Sequence, residues 1–421
     1  MPEVGDLVTV RVEKPAAGGW MIARVDGQIV FVSGAIPGES VTARVERTAK
    51  GLVYAATETI EDPSPDRRDP AGDPACGGCL YSHIAYERQR EIKSAILVDA
   101  FARLGRLTLA STPPVAPSRE DGYRMRARLH LRRGRLGFFR EGSHEICDAR
   151  QTRQLLSETC DMLEALGAGL RSLGLDNCEI ELSENIAATE RVVALDSGAA
   201  SLDARALSRG TAGLAGLTGL VLGGRVLHGG AYVQDRFGVE GREASWRRHV
   251  LAFFQGNRYL LPRLVDCVME QIDSGSFVVD LYAGAGLFSV PAAVARGAQV
   301  TAVEGDRAAA RDLKWNAEQA DPSGEALEPV HQSVEEFCAR TSLRPHIVIV
   351  DPPRTGISKE AVAGVARLAA RRVVYVSCDV ATLARDARRL VDAGYAIRSV
   401  EAFDMFPNTP HVEAVVVLEK G

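Results

Sequence analysis

The chain has 421 residues, 46% of them apolar and 25% charged, with a formal net charge of -5. That length exceeds one ordinary core and predicts two to three domains, while the composition is ordinary for a globular protein and excludes a disordered or fibrous chain. No apolar stretch approaches the roughly 20 residues of a membrane span, and the start Met-Pro-Glu-Val-Gly-Asp lacks the basic flank and apolar run of a secretory signal, so no membrane association and a cytoplasmic protein are expected.

Residues 5–59 read as a small all-β module. Val8-Thr9-Val10-Arg11-Val12, Ile29-Val30-Phe31-Val32 and Val41-Thr42-Ala43-Arg44-Val45 alternate, with Gly and Pro between them. Short, evenly spaced strands predict a five-stranded, OB-like barrel over 1–62. The stretch Gly27 to Glu39, with its Pro37-Gly38-Glu39 turn, resembles the TRAM module of RNA-modifying enzymes, which implies RNA binding.

A Pro- and Asp-rich linker follows, and Tyr86 to Leu104 carries Ile92, Ile96, Leu97, Ala100, Phe101 and Leu104 at helical spacing up to Gly105. Residues 63–83 and 115–250 read as a mixed α/β central domain; the Gly- and Ala-rich part at 197–218 has little pattern. Arg124 to Leu131 alternates as one strand and Leu136 to Arg140 is its partner. Ten arginines between Arg119 and Arg153 face five acids, and not one lysine is used. Such a stripe suits phosphate contacts, so Arg124, Arg126 and Arg128 are candidate grips on RNA. A solvated pair of strands would have the same composition.

From Phe253 on, strands alternate with helices. Ser276–Leu281, Ala298–Glu304, His346–Asp351, Val373–Ser377 and Ala414–Leu418 are apolar strands, which predicts a doubly wound, mainly parallel sheet with ligands outside the carboxyl ends of its strands. Asp280-Leu281-Tyr282-Ala283-Gly284-Ala285-Gly286 ends the first strand, and Glu304 ends the second, 18 residues past Gly286. Glycines allow close backbone approach to a ligand, and an acid at that place can accept both ribose hydroxyls of an adenosine. The third glycine of the phosphate fingerprint is missing, so a methyl donor fits better than a dinucleotide.

Three further motifs fall at strand ends: Asp351-Pro352-Pro353-Arg354-Thr355-Gly356, Tyr375-Val376-Ser377-Cys378 with Thr382-Leu383-Ala384-Arg385-Asp386, and Asp404 to Glu413. With Phe254-Gln255-Gly256-Asn257 and Tyr123-Arg124 they resemble the S-adenosylmethionine-dependent RNA 5-methyluridine methyltransferases, over essentially the whole chain. The resemblance implies a Rossmann-like class I methyltransferase domain over 84–114 and 251–421. It also implies Cys378 as nucleophile, Glu413 as base, and Gln255, Tyr282, Glu304 and Asp351 at the S-adenosylmethionine site. The chemistry asks for those types. Uracil carbon-5 becomes nucleophilic only when a thiolate adds at carbon-6, and the carbon-5 proton must then be removed by a base. Ser333 is a further candidate for contact with the adenine, and His411 is read as structural.

The chain departs from the family pattern in two places. Asp379-Val380 stands where Asn-Pro is usual, and a carboxylate beside Cys378 would raise its pKa unless it points away. Many members hold an iron–sulfur cluster on four cysteines; here Cys76 and Cys79 match the middle pair, Pro70 stands at the first position and the fourth falls near Thr152. An incomplete set predicts no intact cluster, with Cys147 and Cys160 as the nearby substitutes. The expected partner is RNA, ribosomal before transfer RNA by analogy with the TRAM module. Two other readings stay open: an RNA-binding relic without catalysis, and a methyltransferase for another substrate class.

Overall fold

The structure, a computed structural model, describes residues 2–196 and 203–421. In the first strand, β1 (Leu7–Pro15), Val8, Val10 and Val12 point inward and their neighbours outward. With β2 (Met21–Val25), β3 (Gln28–Ser33), β4 (Ser40–Ala49) and β5 (Leu52–Asp62) it closes a barrel in the order β1-β2-β3-β5-β4. Closure removes the exposed sheet edges. The Pro-Gly-Glu turn has a structural purpose. Glu39 is fully buried and accepts from the backbone N–H of Ile36 (2.8 Å) and Ser64 (3.0 Å) and from Arg67 Nε (2.7 Å). Burial works to raise its pKa, but Arg67 and the two amides outweigh it, so the carboxyl lies below its usual range. One carboxylate thereby ties the barrel to the linker behind it.

Helix α1 (Tyr86–Ala100), extended by a π-turn Phe101–Gly105, packs in the same apolar core as the large sheet. That sheet has eight strands. In chain order they are β6 (Val115–Ala116), β16 (Phe277–Leu281), β17 (Gln299–Glu304), β18 (Leu327–His331), β19 (Ile347–Val350), β20 (Arg372–Ser377), β21 (Tyr395–Phe403) and β22 (Glu413–Lys420). They lie in the order β18-β17-β16-β19-β20-β22-β21-β6. The five strands β16 to β20 are parallel, and β22 runs antiparallel between β20 and β21. Five helices alternate with them: α5 (Ser289–Arg296), α6 (Arg307–Ala320), α7 (Val334–Arg340), α8 (Lys359–Leu368) and α9 (Val380–Asp392). Strand order reverses between β16 and β19, and an open sheet of this kind has its ligand crevice at that reversal.

The central sheet runs β13-β12-β11-β10-β7-β8-β9. Its strands are β7 (Arg126–Arg132), β8 (Arg135–Phe139), β9 (Ile146–Asp148), β10 (Asn177–Glu184), β11 (Arg191–Leu195), β12 (Gly219–Leu222) and β13 (Arg225–Gly229). Helices α2 (Ser157–Ser172) and α3 (Ala204–Thr211) accompany it. Of the low-pattern stretch 197–218, residues 197–202 lie outside the described residues. At both ends of the span 115–250 the chain leaves this sheet. Val115–Ala116 forms the last strand of the large sheet, parallel to Ala402–Phe403. The hairpin β14 (Tyr232–Val239) and β15 (Arg242–His249) packs against α5, α6 and α4 (Leu261–Met269). The cause is its inward face: Trp246, Val239 and Ala244 are buried among residues of the large domain.

Half of the arginine stripe is paired with acids. Arg128 pairs with Glu181 (2.5 Å), Arg132 with Glu179, Arg140 with Asp73 (2.8 Å) and Glu145 (2.7 Å), Arg150 with Asp161 (2.6 Å) and Glu164 (2.7 Å), and Arg153 with Asp121. Glu179 and Glu181 come from β10, which lies beside β7 in the sheet. Of the three candidate grips on RNA, Arg128 is the one held by an ion pair, and its side chain is 70% exposed.

Candidate active site

Each motif residue reaches the site because it stands at the end of a strand. Tyr282 follows β16, Glu304 closes β17, Asp351 follows β19 and Cys378 follows β20. Glu413 opens β22, which runs the other way, so its first residue lies at the same edge of the sheet; Ser377 pairs with Ala414, and Cys378 and Glu413 leave the sheet side by side. These five line one cavity of about 730 Å³ with Gln255, Ser333, Arg354, Phe253 and Phe406. All six site residues named from the sequence, and Ser333, are brought together there.

The glycine turn is shaped for close approach. Tyr282 has φ +60°, and Gly284 and Gly286 have φ +57° and +89°. A Cβ on Gly286 would press to 3.1 Å from Leu313 Cδ1, and its carbonyl accepts from Trp246 Nε1 at 2.9 Å. The carboxylate of Glu304 accepts from Gly284 N (2.7 Å) and Asp306 N (2.6 Å), one bond per oxygen, which leaves acceptor capacity directed at the cavity. Behind the turn, Asp280 is fully buried and hydrogen-bonded to Ser289, and burial pushes its pKa up to about 7.

The strand carrying Cys378 and the loop carrying Arg354 are clamped by Asp386. Its buried carboxylate accepts from Tyr375 Oη (2.9 Å), Ile357 N (3.0 Å) and Arg385 Nε (2.8 Å). A Cβ on Gly356, at φ +72°, would stand 2.4 Å from that carboxylate, which explains the glycine of this loop. Asp379 points away from the thiol, for it caps α9 by accepting from Thr382 N at 2.8 Å. The thiol is raised nonetheless. Burial pushes Cys378 up to about 12, with Glu413 and Asp351 adding to the rise and Arg354 opposing it. Burial also raises Asp351, with Asp280 beside it, and raises Glu413, with Asp351 beside it. Glu413 is 1% exposed and neither carboxylate oxygen has a hydrogen-bond partner among the described residues. A buried, unsatisfied carboxylate is costly, and such groups cluster where chemistry needs a displaced pKa.

Other motif residues are scaffolding. Asn257 donates to Ser118 Oγ (2.9 Å) and Met405 O (3.0 Å) and accepts from two backbone amides. His411 is driven to about 4 by burial, so it is neutral. Sequence reasoning missed Arg354 and Phe253. Arg354 stood in a recognised motif without a role, and Phe253, 65% exposed, was visible only as a large apolar residue beside Gln255.

None of the cysteines considered for a cluster lines this cavity. Cys76 is joined to Cys147 in a disulfide with Cα atoms 6.0 Å apart, and Cys79 packs alongside with its sulfur 4.0 Å from the Thr152 carbonyl. Cys160 is buried in the separate core of the central sheet. Three sulfurs, two of them bonded to each other, do not fit a four-thiolate cluster, and among the described residues no set of three or more ligating side chains is placed to hold a metal.

A parallel sheet reversed at its glycine turn, with one antiparallel strand inserted beside the last parallel one, is the architecture of a Rossmann-like class I methyltransferase. The profile of the tRNA (Uracil-5-)-methyltransferase family matches residues 215–421, and that of the TRAM domain matches residues 2–56. A 23S rRNA (uracil(1939)-C(5))-methyltransferase, RlmD, of Halomonas elongata is 32% identical, over 96% of this chain and 88% of its own. An RNA methyltransferase of Thermotoga maritima, of no stated substrate position, is 31% identical over 99% of both chains. The crystal structure of the Pyrococcus abyssi tRNA (uracil-54, C5)-methyltransferase with S-adenosyl-L-homocysteine shares the fold, at a TM-score of 0.76 and 24% identity over 97% of this chain and 99% of that one. The chain belongs to the RNA (uracil-5-)-methyltransferase family and is an enzyme of that class.

Proposed function

We propose that this enzyme transfers a methyl group from S-adenosylmethionine to carbon-5 of a uridine in ribosomal RNA, with Cys378 as nucleophile and Glu413 as base. One observation carries the reading: a half-buried thiol and a fully buried carboxylate without partners leave adjacent strands into one cavity. Ribosomal RNA is favoured because several relatives at 31–33% identity over nearly the whole chain are named for 23S rRNA.

Glu304 at the glycine turn has the geometry to take the ribose hydroxyls of the donor, with Tyr282 and Ser333 lining the same cavity. The donor supplies an electrophilic methyl group. Gln255 and Asp351 line the same cavity as Cys378, and Asp351 is close enough to act on the thiol. Burial keeps Cys378 a thiol at neutral pH, and Arg354 is the cavity cation that favours the thiolate. Sulfur adds to carbon-6, the ring becomes an enolate, and carbon-5 takes the methyl group. Glu413 then accepts the carbon-5 proton, the ring double bond re-forms, and the carbon–sulfur bond breaks to return the thiolate. The raised pKa of Glu413 makes it a stronger base once ionised.

The test is a 23S rRNA transcript carrying 5-fluorouridine. Fluorine cannot leave as a cation, so one methyl transfer should be followed by a stalled covalent protein–RNA band. The band should need S-adenosylmethionine and vanish in Cys378→Ala. Equal methylation of ordinary RNA by wild type and Cys378→Ala would overturn the mechanism.

A further inference from the structure

We infer that the outward face of the β14–β15 hairpin, with the adjoining flank of α6, is a docking surface for the single-stranded RNA that flanks the target uridine. The inference rests on the RNA-uridine reading above, and its observations are independent of the cavity. Strand pairing sets Tyr232 opposite His249, Gln234 opposite Arg247 and Arg236 opposite Ser245. Their neighbours Val233, Asp235, Trp246 and Arg248 are buried, so the alternation puts Tyr232, Gln234, Arg236, Ser245, Arg247 and His249 on the outer face, which the exposed Glu243, opposite Gly238, continues toward the turn.

Arg247 lies between two rings, 4.3 Å from the centroid of Tyr232 and 4.2 Å from that of Trp315 on α6. Its Nε is buried between them without a hydrogen-bond partner, and Tyr232 is 39% exposed. Arg311, one turn before Trp315, acts with Arg247 on the His249 imidazole. Among the described residues Arg236, Arg247 and Arg311 form no ion pair, whereas five of the ten arginines of the 119–153 stripe do. A second acid, Glu190 at the border, accepts from the backbone N–H of Gln234. Guanidinium groups outside ion pairs, beside the partly exposed rings of Tyr232 and Trp315, match the charge and stacking demands of a single strand.

The face is also fixed relative to the reacting groups. Trp246 donates to Gly286 O, and Asn316 donates to Ala285 O (2.8 Å) and Arg247 O (2.9 Å), so the hairpin is bolted to the cofactor turn. His249 Nδ1 accepts from Leu251 N at 3.2 Å, and Leu251 and Phe253, 50% and 65% exposed, form the lip of the cavity. From His249 to Phe253 the chain spans at most about 14 Å. An RNA strand with its uridine in the cavity would cross this face next.

The experiment measures binding of a fluorescein-labelled 20-nucleotide oligouridylate by anisotropy across a KCl series, using the full chain. Arg236→Glu with Arg311→Glu should weaken binding at least tenfold at low salt and flatten the log–log salt slope by about 1.4, near 0.7 per lost phosphate contact. Tyr232→Ala should weaken binding about fivefold or more with the slope unchanged. S-adenosylmethionine binding by calorimetry should be unaltered in both variants, which shows the fold is intact. Unchanged affinity and slope in the double variant, with unchanged KM for a 23S rRNA transcript, would overturn the inference. Failure of the uridine chemistry would appear separately, as no fluorouridine adduct with wild type.

Discussion

Replacing Glu413 by Gln changes one atom in a site that holds the residue without hydrogen bonds. The side chain is 1% exposed and both oxygens are unpartnered, so the amide breaks no bond among the described residues and adds no volume. The expected loss is therefore almost purely chemical. Removal of a general base costs about 10²–10⁴ in rate, or about 3–5 kcal/mol at 1.36 kcal/mol per tenfold. The loss should fall on proton abstraction alone, after the methyl group has moved. In a rapid-quench experiment with a 23S rRNA transcript and radiolabelled S-adenosylmethionine, the variant should incorporate label in its first turnover. That label should run as a protein–RNA adduct on a denaturing gel and be released slowly, with ordinary uridine. Multiple turnover within tenfold of wild type, with no adduct, would show that another group takes the proton.

Glu304→Ala should weaken S-adenosylmethionine binding by about 1–3 kcal/mol, the scale for a lost buried acceptor; unchanged affinity by calorimetry would remove Glu304 from the donor site. Alkylation of Cys378 by iodoacetamide, followed by mass spectrometry, should quicken about tenfold per pH unit from 7 to 10. Burial and then Glu413 push the thiol up to about 12, so the thiolate fraction is still rising there, and a plateau below pH 9 would contradict it. Lys93 and Asp404 are both fully buried, and Lys93 Nζ reaches Asp404 Oδ1 (2.5 Å) and Phe406 O (3.0 Å). Lys93→Met should cost about 3–5 kcal/mol in guanidinium unfolding by stranding the carboxylate, and Asp404→Leu added to it should recover most of that. A single-variant loss below about 1 kcal/mol would refute the argument.

Local periodicity was enough to read much of this protein from its chain. The barrel shows in the alternating valines of β1, and the strand ends of the large sheet show in apolar runs closed by Tyr282, Glu304, Asp351 and Cys378. Parallel topology places those ends on one edge, so the candidate site was legible too. Strand β21 was not, because its burial does not alternate cleanly, and neither was the two-residue strand β6, too short to have a period. Charge pairing was not legible, for a related reason. Arginines were counted along the chain, but Glu179 and Glu181 oppose Arg132 and Arg128 only through the pairing of β10 with β7. Cys147 meets Cys76 across 71 residues, and the free cations of the hairpin stand out only once α6 sets Trp315 beside Arg247. Side-chain period is a property of neighbouring residues and is written in the sequence. Which groups neutralise, clamp or stack on one another depends on contacts between segments distant in the chain, and those exist only after the sheets have assembled.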